Sequence, residues 1–338
     1  MKTKYSTGYF RYMINELRWN PLLGCWVVVS SGRRVRPWRR ATCPFCPGMP
    51  ETGYGWKVLV LDNKYPALRV KPKTSVESRD IYRVEPGYGY CKVVVEAEEH
   101  EGDLDTLPFD NLVEYIRVLV KECKELCKDD KIEYVAIFRN KGEVIGVSLT
   151  HPHSQIYALP FTPPRIAVEL KNSENHYRRY GDCLFCRIIK LEKEDKKRIV
   201  YENHSFVAFL PFFAMWPYEV HVYPKRHFSK LVEINDEEIN DLADALSKVV
   251  SAYNSLFDFS LPYMMAMHQA PCRGEYRHYH FHVEFYPIHR SKDKLKYAAG
   301  IEWGSWVFTY DDLPEKKAEE LRKALKSRLD QASASIHQ

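Results

Sequence analysis

One ordered set of marks occurs twice in this 338-residue chain, and it narrows the possible folds more than any other feature. In the first half the order is Cys43-x-x-Cys46, a β-like run leading to His100, an amphipathic stretch, an apolar run, a turn, and His151-x-His153-x-Gln155. In the second half it is Cys183-x-x-Cys186, a β-like run leading to His227, an amphipathic stretch, an apolar run, a turn, and His280-x-His282-x-Glu284. Chance does not easily give so many matches in one order. The pattern reads as an internal duplication and predicts an α+β fold of two similar halves, each an antiparallel sheet with packed helices. The halves are placed at 1–172 and 173–338, with the boundary in the charged stretch 171–182. A Lys/Glu-rich exposed helix over 315–330 forms the tail.

The periodicities fill in this frame. Leu112, Ile116, Leu119, Val120 and Cys123 mark one face of a helix over 110–129, and Leu242, Ala245, Leu246, Val249 and Val250 mark another over 236–257. Strands are expected at 25–30, 58–61, 92–96, 134–138 and 144–158, and in the second half at 198–201, 205–209, 219–223, 263–267 and 279–286.

Composition excludes some classes. A hydrophobic content of 45% and a charged content of 28% are ordinary for a soluble globular protein. No run approaches the roughly 20 apolar residues that span a bilayer, and no signal-peptide core opens the chain, so a cytoplasmic protein is expected. The net charge of +5 is spread out, apart from one cluster at Arg33–Arg40. Nine cysteines cannot all pair within one chain. In a cytosolic protein C-x-x-C pairs read first as metal knuckles. Few Gln against many Lys, Arg and Glu hint at a thermophile, in which intracellular disulfides become possible.

The chemistry follows from the marks. Cys43, Cys46, His100 and His151 complete a closed Cys2His2 set, as structural zinc requires. The same register gives Cys183, Cys186, His227 and His280, which could hold a second zinc; a Cys183–Cys186 disulfide is the other reading. Alternate residues of a strand share a face, so His151, His153 and Gln155 point the same way. With His151 on the metal, His153 is the free imidazole. It is largely neutral at pH 7 and can attack phosphorus without first losing a proton, and a carbonyl on Nδ1 would aim Nε2. The Gln155 amide can stabilise a phosphoryl oxygen but is neither acid nor base. Such a site needs a leaving group that departs without a proton.

With these pieces the sequence resembles the galactose-1-phosphate uridylyltransferases of the histidine-triad superfamily. Arg18-Trp19-Asn20-Pro21-Leu22, Arg33, Arg36-Pro37-Trp38, Cys43-Pro44-Phe45-Cys46, Asn140-Lys141-Gly142 and His151-Pro152-His153-Ser154-Gln155 carry the likeness. So do Trp216-Pro217, Pro224-Lys225-Arg226-His227, His268-Gln269-Ala270-Pro271 and Phe285-Tyr286-Pro287. The resemblance implies a step of galactose metabolism, in the Leloir pathway, by double displacement. His153 would take the uridylyl group of UDP-glucose, then pass it to galactose 1-phosphate. It further implies that Gln155 and Ser148 contact the nucleotide phosphates, that Arg33 and Arg36 hold anionic groups, and that Asn63 and Asn140 fix the nucleotide. An iron or zinc site is implied at Glu169, His268, His282 and Glu284, with Glu284 where the family usually has His. Lys296, Tyr297 and Glu302 would contact the hexose phosphate in the active site of the other subunit of a homodimer. Ile301 and Phe308 depart from the family there, and Leu149-Thr150 replaces its usual Asn-Pro.

Two other readings compete. A nucleotide-sugar phosphorylase of the same superfamily, perhaps adenylyl-specific, would use His153 and Gln155 unchanged. A zinc-containing nucleic-acid-binding protein would use the knuckles and the Arg33–Arg40 cluster, with steep salt dependence. Ligands far from their knuckles argue against it, and neither nucleic acid nor membrane is an expected partner.

Overall fold

The computed structural model describes residues 13–35, 42–257 and 259–336. Arg36, and with it most of the Arg33–Arg40 cluster, lies outside the described residues. Strands β1 (Asn15–Asn20) and β2 (Cys25–Ser30) pair antiparallel across a four-residue turn. β3 (Leu59–Asp62), β4 (Val84–Pro86) and β5 (Tyr90–Val95) follow, then α1 (Phe109–Leu126), β6 (Tyr134–Lys141), β7 (His153–Leu159) and α2 (Pro164–Tyr180). After these come α3 (Leu184–Asp195), β8 (Ile199–Glu202), β9 (Phe206–Phe209), β10 (Val220–Pro224), α4 (Asp236–Leu256), β11 (Tyr263–His268) and β12 (His282–Pro287). A hairpin of β13 (His289–Ser291) and β14 (Lys294–Leu295), with α5 (Gly300–Ser305) and α6 (Pro314–Ile336), completes the described chain.

β4, β1 and β2 form a small sheet of their own. The main sheet has nine strands in the order β3-β5-β7-β6-β11-β12-β10-β9-β8, all antiparallel. The duplication is visible in this order. β5-β7-β6 of the first half answers to β10-β12-β11 of the second, mirrored about the join where β6 pairs with β11. Gly142, just past β6, has φ 103°, and a Cβ there would meet Pro262 at 2.5 Å, so the chain can turn beside β11 only without a side chain.

One hydrophobic core runs under both halves. α1 contributes Leu112, Tyr115, Ile116 and Leu119, and α4 contributes Leu242, Leu246, Val249 and Val250, against Val94, Ile137, Ile156, Met265 and Val283 of the sheet. α4 starts with a full capping box, in which Asn235 and Glu238 exchange hydrogen bonds. The opposite face is covered by α2, α3 and the small sheet, through Phe185, Ile189, Leu17 and Ile166.

The charged stretch 171–182, where the boundary is placed, holds the end of α2, which is opened by Pro164 and ended by Gly181 in the left-handed region. Three expectations are corrected. The tail helix is longer than 315–330 and not merely exposed, because Ala318, Leu321 and Leu325 are buried in the main core. The strand expected at 144–158 begins only at His153, since residues 143–145 form a short 3-10 turn ended by Gly146 at φ 84°. The disulfide of this chain is not Cys183–Cys186. It joins Cys127, at the end of α1, to Cys272, beyond β11, and so links the halves.

Candidate active site and metal centres

Along β7 the half-exposed residues are His153, Gln155 and Tyr157, and those between them are buried. His153 is fixed as its strand requires: Nδ1–H donates to the His151 carbonyl at 2.8 Å, which leaves the Nε2 lone pair facing outward. Burial pushes this imidazole down, the His151 carbonyl partly restores it, and the balance lies below the ordinary histidine value. Phe45 of the first knuckle packs 5.3 Å from the ring. His153 and Gln155 line one cleft with Asn63, Ser148, Glu51, Asp62 and Lys64. On the other side of the 148–153 segment a second cleft holds Asn140, Lys141 and Glu143, and His153 borders both. Arg33 donates Nη1–H to the Tyr157 hydroxyl at 2.9 Å, which puts its exposed guanidinium at the far end of the same strand. Asn63, Ser148, His153 and Gln155 are thus brought together, with Asn140 and Arg33 at either side.

The residues proposed for the hexose, Lys296, Tyr297 and Glu302, line neither cleft at His153. Lys296 is buried, and its ammonium donates to the carbonyls of Met215, at 2.7 Å, and Thr309. Glu302 accepts from the Thr309 hydroxyl at 3.0 Å and from the Ala299 amide at 3.3 Å. Both hold their own loop, whereas Tyr297 is exposed. Tyr157 was not anticipated, although the His-x-His-x-Gln alternation, extended by one step, reaches it.

Among the described residues three clusters of metal-ligating side chains form, two where the repeated marks place them and one where the resemblance implies it, each with donor atoms within 4.8 Å of one another. In the first, Cys46 Sγ is 3.3 Å from His100 Nδ1, and His151 Nδ1 is 3.8 Å from both sulfurs. His151 Nε2–H donates to the Ala97 carbonyl at 2.8 Å. The second cluster repeats this: Cys186 lies 3.4 Å from His227 Nδ1 and 3.5 Å from His280 Nδ1, and His280 Nε2–H donates to the Pro224 carbonyl at 2.9 Å. With Nε2 protonated, His151 and His280, each two residues before the start of its strand, turn a bare Nδ1 toward the knuckle sulfurs, the donor set and outer hydrogen bond that a tetrahedral metal site uses. These residues therefore fit a metal in both halves.

The third cluster joins Glu169 of α2, His268 of β11, and His282 and Glu284 of β12. His268 Nδ1 is 3.1 Å from both Glu169 oxygens. Arg165 donates to Glu284 at 2.5 Å and to Glu169 at 3.2 Å. Burial pushes the Glu284 carboxyl up, but His221, His268 and Arg165 outweigh it and hold it well below the usual carboxylate range. His282 donates Nδ1–H to the His280 carbonyl at 2.9 Å, so its Nε2 lone pair faces Glu284 Oε1 at 3.3 Å. Two lone pairs so close call for a cation or a proton between them, and this set too fits a metal.

Comparison with known proteins agrees with this arrangement. The model of the galactose-1-phosphate uridyl transferase N-terminal domain matches residues 9–163, and that of the C-terminal domain matches residues 169–337. A galactose-1-phosphate uridylyltransferase of Thermotoga maritima is 39% identical over 313 residues, covering 91% of this chain and 98% of the relative. A solved uridylyltransferase superposes with a TM-score of 0.86 at 43% identity, covering 92% of this chain and 99% of that one. An ADP-glucose phosphorylase of Arabidopsis thaliana, solved with bound ADP-glucose, superposes with a TM-score of 0.70 at 25% identity, covering 91% and 98%. Both family models together span nearly the whole chain, and the chain belongs to the galactose-1-phosphate uridylyltransferase family.

Proposed function

We propose that the chain moves a uridylyl group from UDP-glucose to galactose 1-phosphate through a covalent uridylyl-His153. The single observation that carries the residue assignment is the His153 ring, pinned at Nδ1 by its own strand and open at Nε2 to a cleft shared with Gln155, Ser148 and Asn63. The Nε2 lone pair forms a bond to the α-phosphorus while the bond from that phosphorus to the bridging oxygen breaks. Glucose 1-phosphate then leaves as an oxyanion, needing no proton. The ring becomes cationic, and its Nδ1–H bond to the His151 carbonyl strengthens as the charge develops. A phosphate oxygen of galactose 1-phosphate next attacks, and the imidazole departs neutral. Gln155 donates to a phosphoryl oxygen in both steps; Ser148, Asn63 and Asn140 orient the nucleotide, and Arg33, with Arg36, counters substrate charge.

In this reading the half at 1–172 does the chemistry, and the half at 173–338 supports it and supplies the hexose segment. Zinc on Cys43, Cys46, His100 and His151 ties the knuckle to the strand that carries His153. A second zinc is proposed on Cys183, Cys186, His227 and His280, and iron or zinc on Glu169, His268, His282 and Glu284. When bound, these metals neutralise buried donors and fix loops. A homodimer is supported by the exposed apolar side chains of Tyr297, Ile301, Trp303, Trp306 and Val307 beside the hexose segment. No described helix is long and apolar enough to cross a membrane, which fits a cytoplasmic place.

Mass spectrometry after incubation with UDP-glucose alone should find a uridylyl adduct on the peptide containing His153. An adduct elsewhere, or none under trapping conditions, counts against the scheme. The phosphorylase relative favours one second reading, transfer to inorganic phosphate; a phosphate requirement together with ADP-glucose preference would establish it instead.

The pH dependence follows from the depressed imidazole. A proton on Nε2 removes the attacking lone pair, and a lowered pKa delays that protonation to more acid solution. kcat/KM for UDP-glucose is expected to stay level from about pH 8 down past about 6.5, the ordinary histidine value, and to fall only below it. An acid limb centred above that value would contradict the geometry.

A further inference from the structure

Ser154 lies between His153 and Gln155 and points the opposite way, into the core. Its hydroxyl donates to Glu96 at 2.6 Å and bonds the Tyr115 hydroxyl at 2.8 Å. Glu96 accepts Arg139 Nε–H at 2.9 and 3.1 Å. Arg139 then reaches into the second half, donating to the Tyr263 hydroxyl at 2.7 Å, while Tyr263 donates to Asp103 at 2.7 Å. Ser154, Glu96, Tyr115 and Tyr263 are wholly buried, and Arg139 is 2% exposed.

Stability alone does not account for this network. Buried ions are costly to desolvate, and apolar replacements of similar volume are often neutral or stabilising. The duplicate half shows that this fold manages without it. At the places of Ser154 and Arg139, paired across β7 and β6, the second half has Val283 and Met267, paired across β12 and β11 and buried in the same core. The polar pair therefore stands only beneath the strand with the reactive row. It is also joined to that strand at several points. The Glu96 amide donates to the Pro152 carbonyl at 3.0 Å, its carboxylate holds Ser154, and the Ala97 carbonyl holds His151. Residues 151, 152 and 154 are fastened from behind, and the His153 ring is turned to the cleft.

We infer that Ser154, Glu96 and Arg139 are positioning residues for uridylyl transfer, fixing the spacing between the His153 ring and the Gln155 amide through both half-reactions. This rests on His153 and Gln155 being the reactive pair. Hydrogen-bonded networks in a low-dielectric interior give direction that apolar packing lacks, and small misplacements of reacting groups are costly in rate.

The test is Ser154→Ala, which leaves the Glu96–Arg139 pair intact. kcat is expected to fall about 10- to 100-fold, with KM for both substrates and Tm little changed, and single-turnover loading of His153 should slow by the same factor. A lowered Tm with unchanged kcat per folded molecule would mean a merely structural role and would overturn the proposal, as would wild-type kcat. Should Ser154→Ala not yield folded protein, Tyr263→Phe decides, because it removes only the hydroxyl at the far end. A smaller fall in kcat of the same kind is then expected, and unchanged kcat overturns the proposal. His153→Gly is run alongside. If it still transfers, the assignment of the nucleophile fails; if it is dead while Ser154→Ala is normal, only the positioning role fails.

Discussion

Replacing His153 with glycine is expected to abolish uridylyl transfer, with kcat down by about 10⁴-fold or more, the range seen when a covalent nucleophile is removed from an enzyme. The fold should survive. The ring is partly exposed, its one hydrogen bond among the described residues is to the carbonyl two residues earlier, and the residues around it are held by other bonds. The informative refinement is rescue. Glycine leaves a gap beside Phe45 and above Gln155 that free imidazole can enter from the cleft. Added imidazole should restore partial turnover as a soluble nucleophile, giving uridylyl-imidazole in solution. Substantial transfer by the glycine variant without imidazole would show that attack comes from another atom and would remove the basis of the double displacement.

The second large effect is on stability. The Cys127–Cys272 bridge closes 145 residues of chain between the end of α1 and the segment just after His268. In the chain-entropy account a loop of this size is worth about 4–5 kcal/mol, drawn from the unfolded ensemble. Cys272→Ser is expected to lose most of that, seen as a lower midpoint in denaturant with an altered m-value. Reducing agent should destabilise the wild type by a similar amount and leave the variant unmoved. Equal stability with and without reductant in the wild type would mean that the bridge contributes nothing. Activity of the folded, reduced enzyme should change little, since the bridge lies outside both clefts at His153.

The sequence revealed the parts whose chemistry is written in side-chain type and spacing. The Cys and His marks predicted two ligand clusters, the family resemblance implied a third, and the structure brings those same residues together. The alternation His-x-His-x-Gln placed His153 and Gln155 on one face because a strand has a period of two. What stayed hidden depends on tertiary context. α2 has a weakly apolar sequence and is a helix through its Pro164 start and Gly181 cap, signals that read equally well as turns. α6 looks solvated in sequence because, among its described side chains, Ala318, Leu321 and Leu325 are the ones buried in the core and the rest are largely charged. Ser154 is legible only as a member of the His-Pro-His-Ser-Gln run, and Arg139 not at all, since nothing in a sequence distinguishes a buried arginine from a solvated one. The disulfide was missed for a related reason: Cys127 and Cys272 carry no local motif, and only the closure of the sheet brings them together.

That closure bears on how such a chain can be made or divided. β6 and β11 are each the last strand of their own half, and they satisfy each other's backbone amides and carbonyls along the seam. A fragment stopping after α2 would present a bare ladder of unpaired groups along β6, the kind of rim that recruits stray strands and precipitates. Expression of either piece by itself should therefore give insoluble material or a self-paired twin, and co-expression of the two should restore soluble protein by zipping that rim shut.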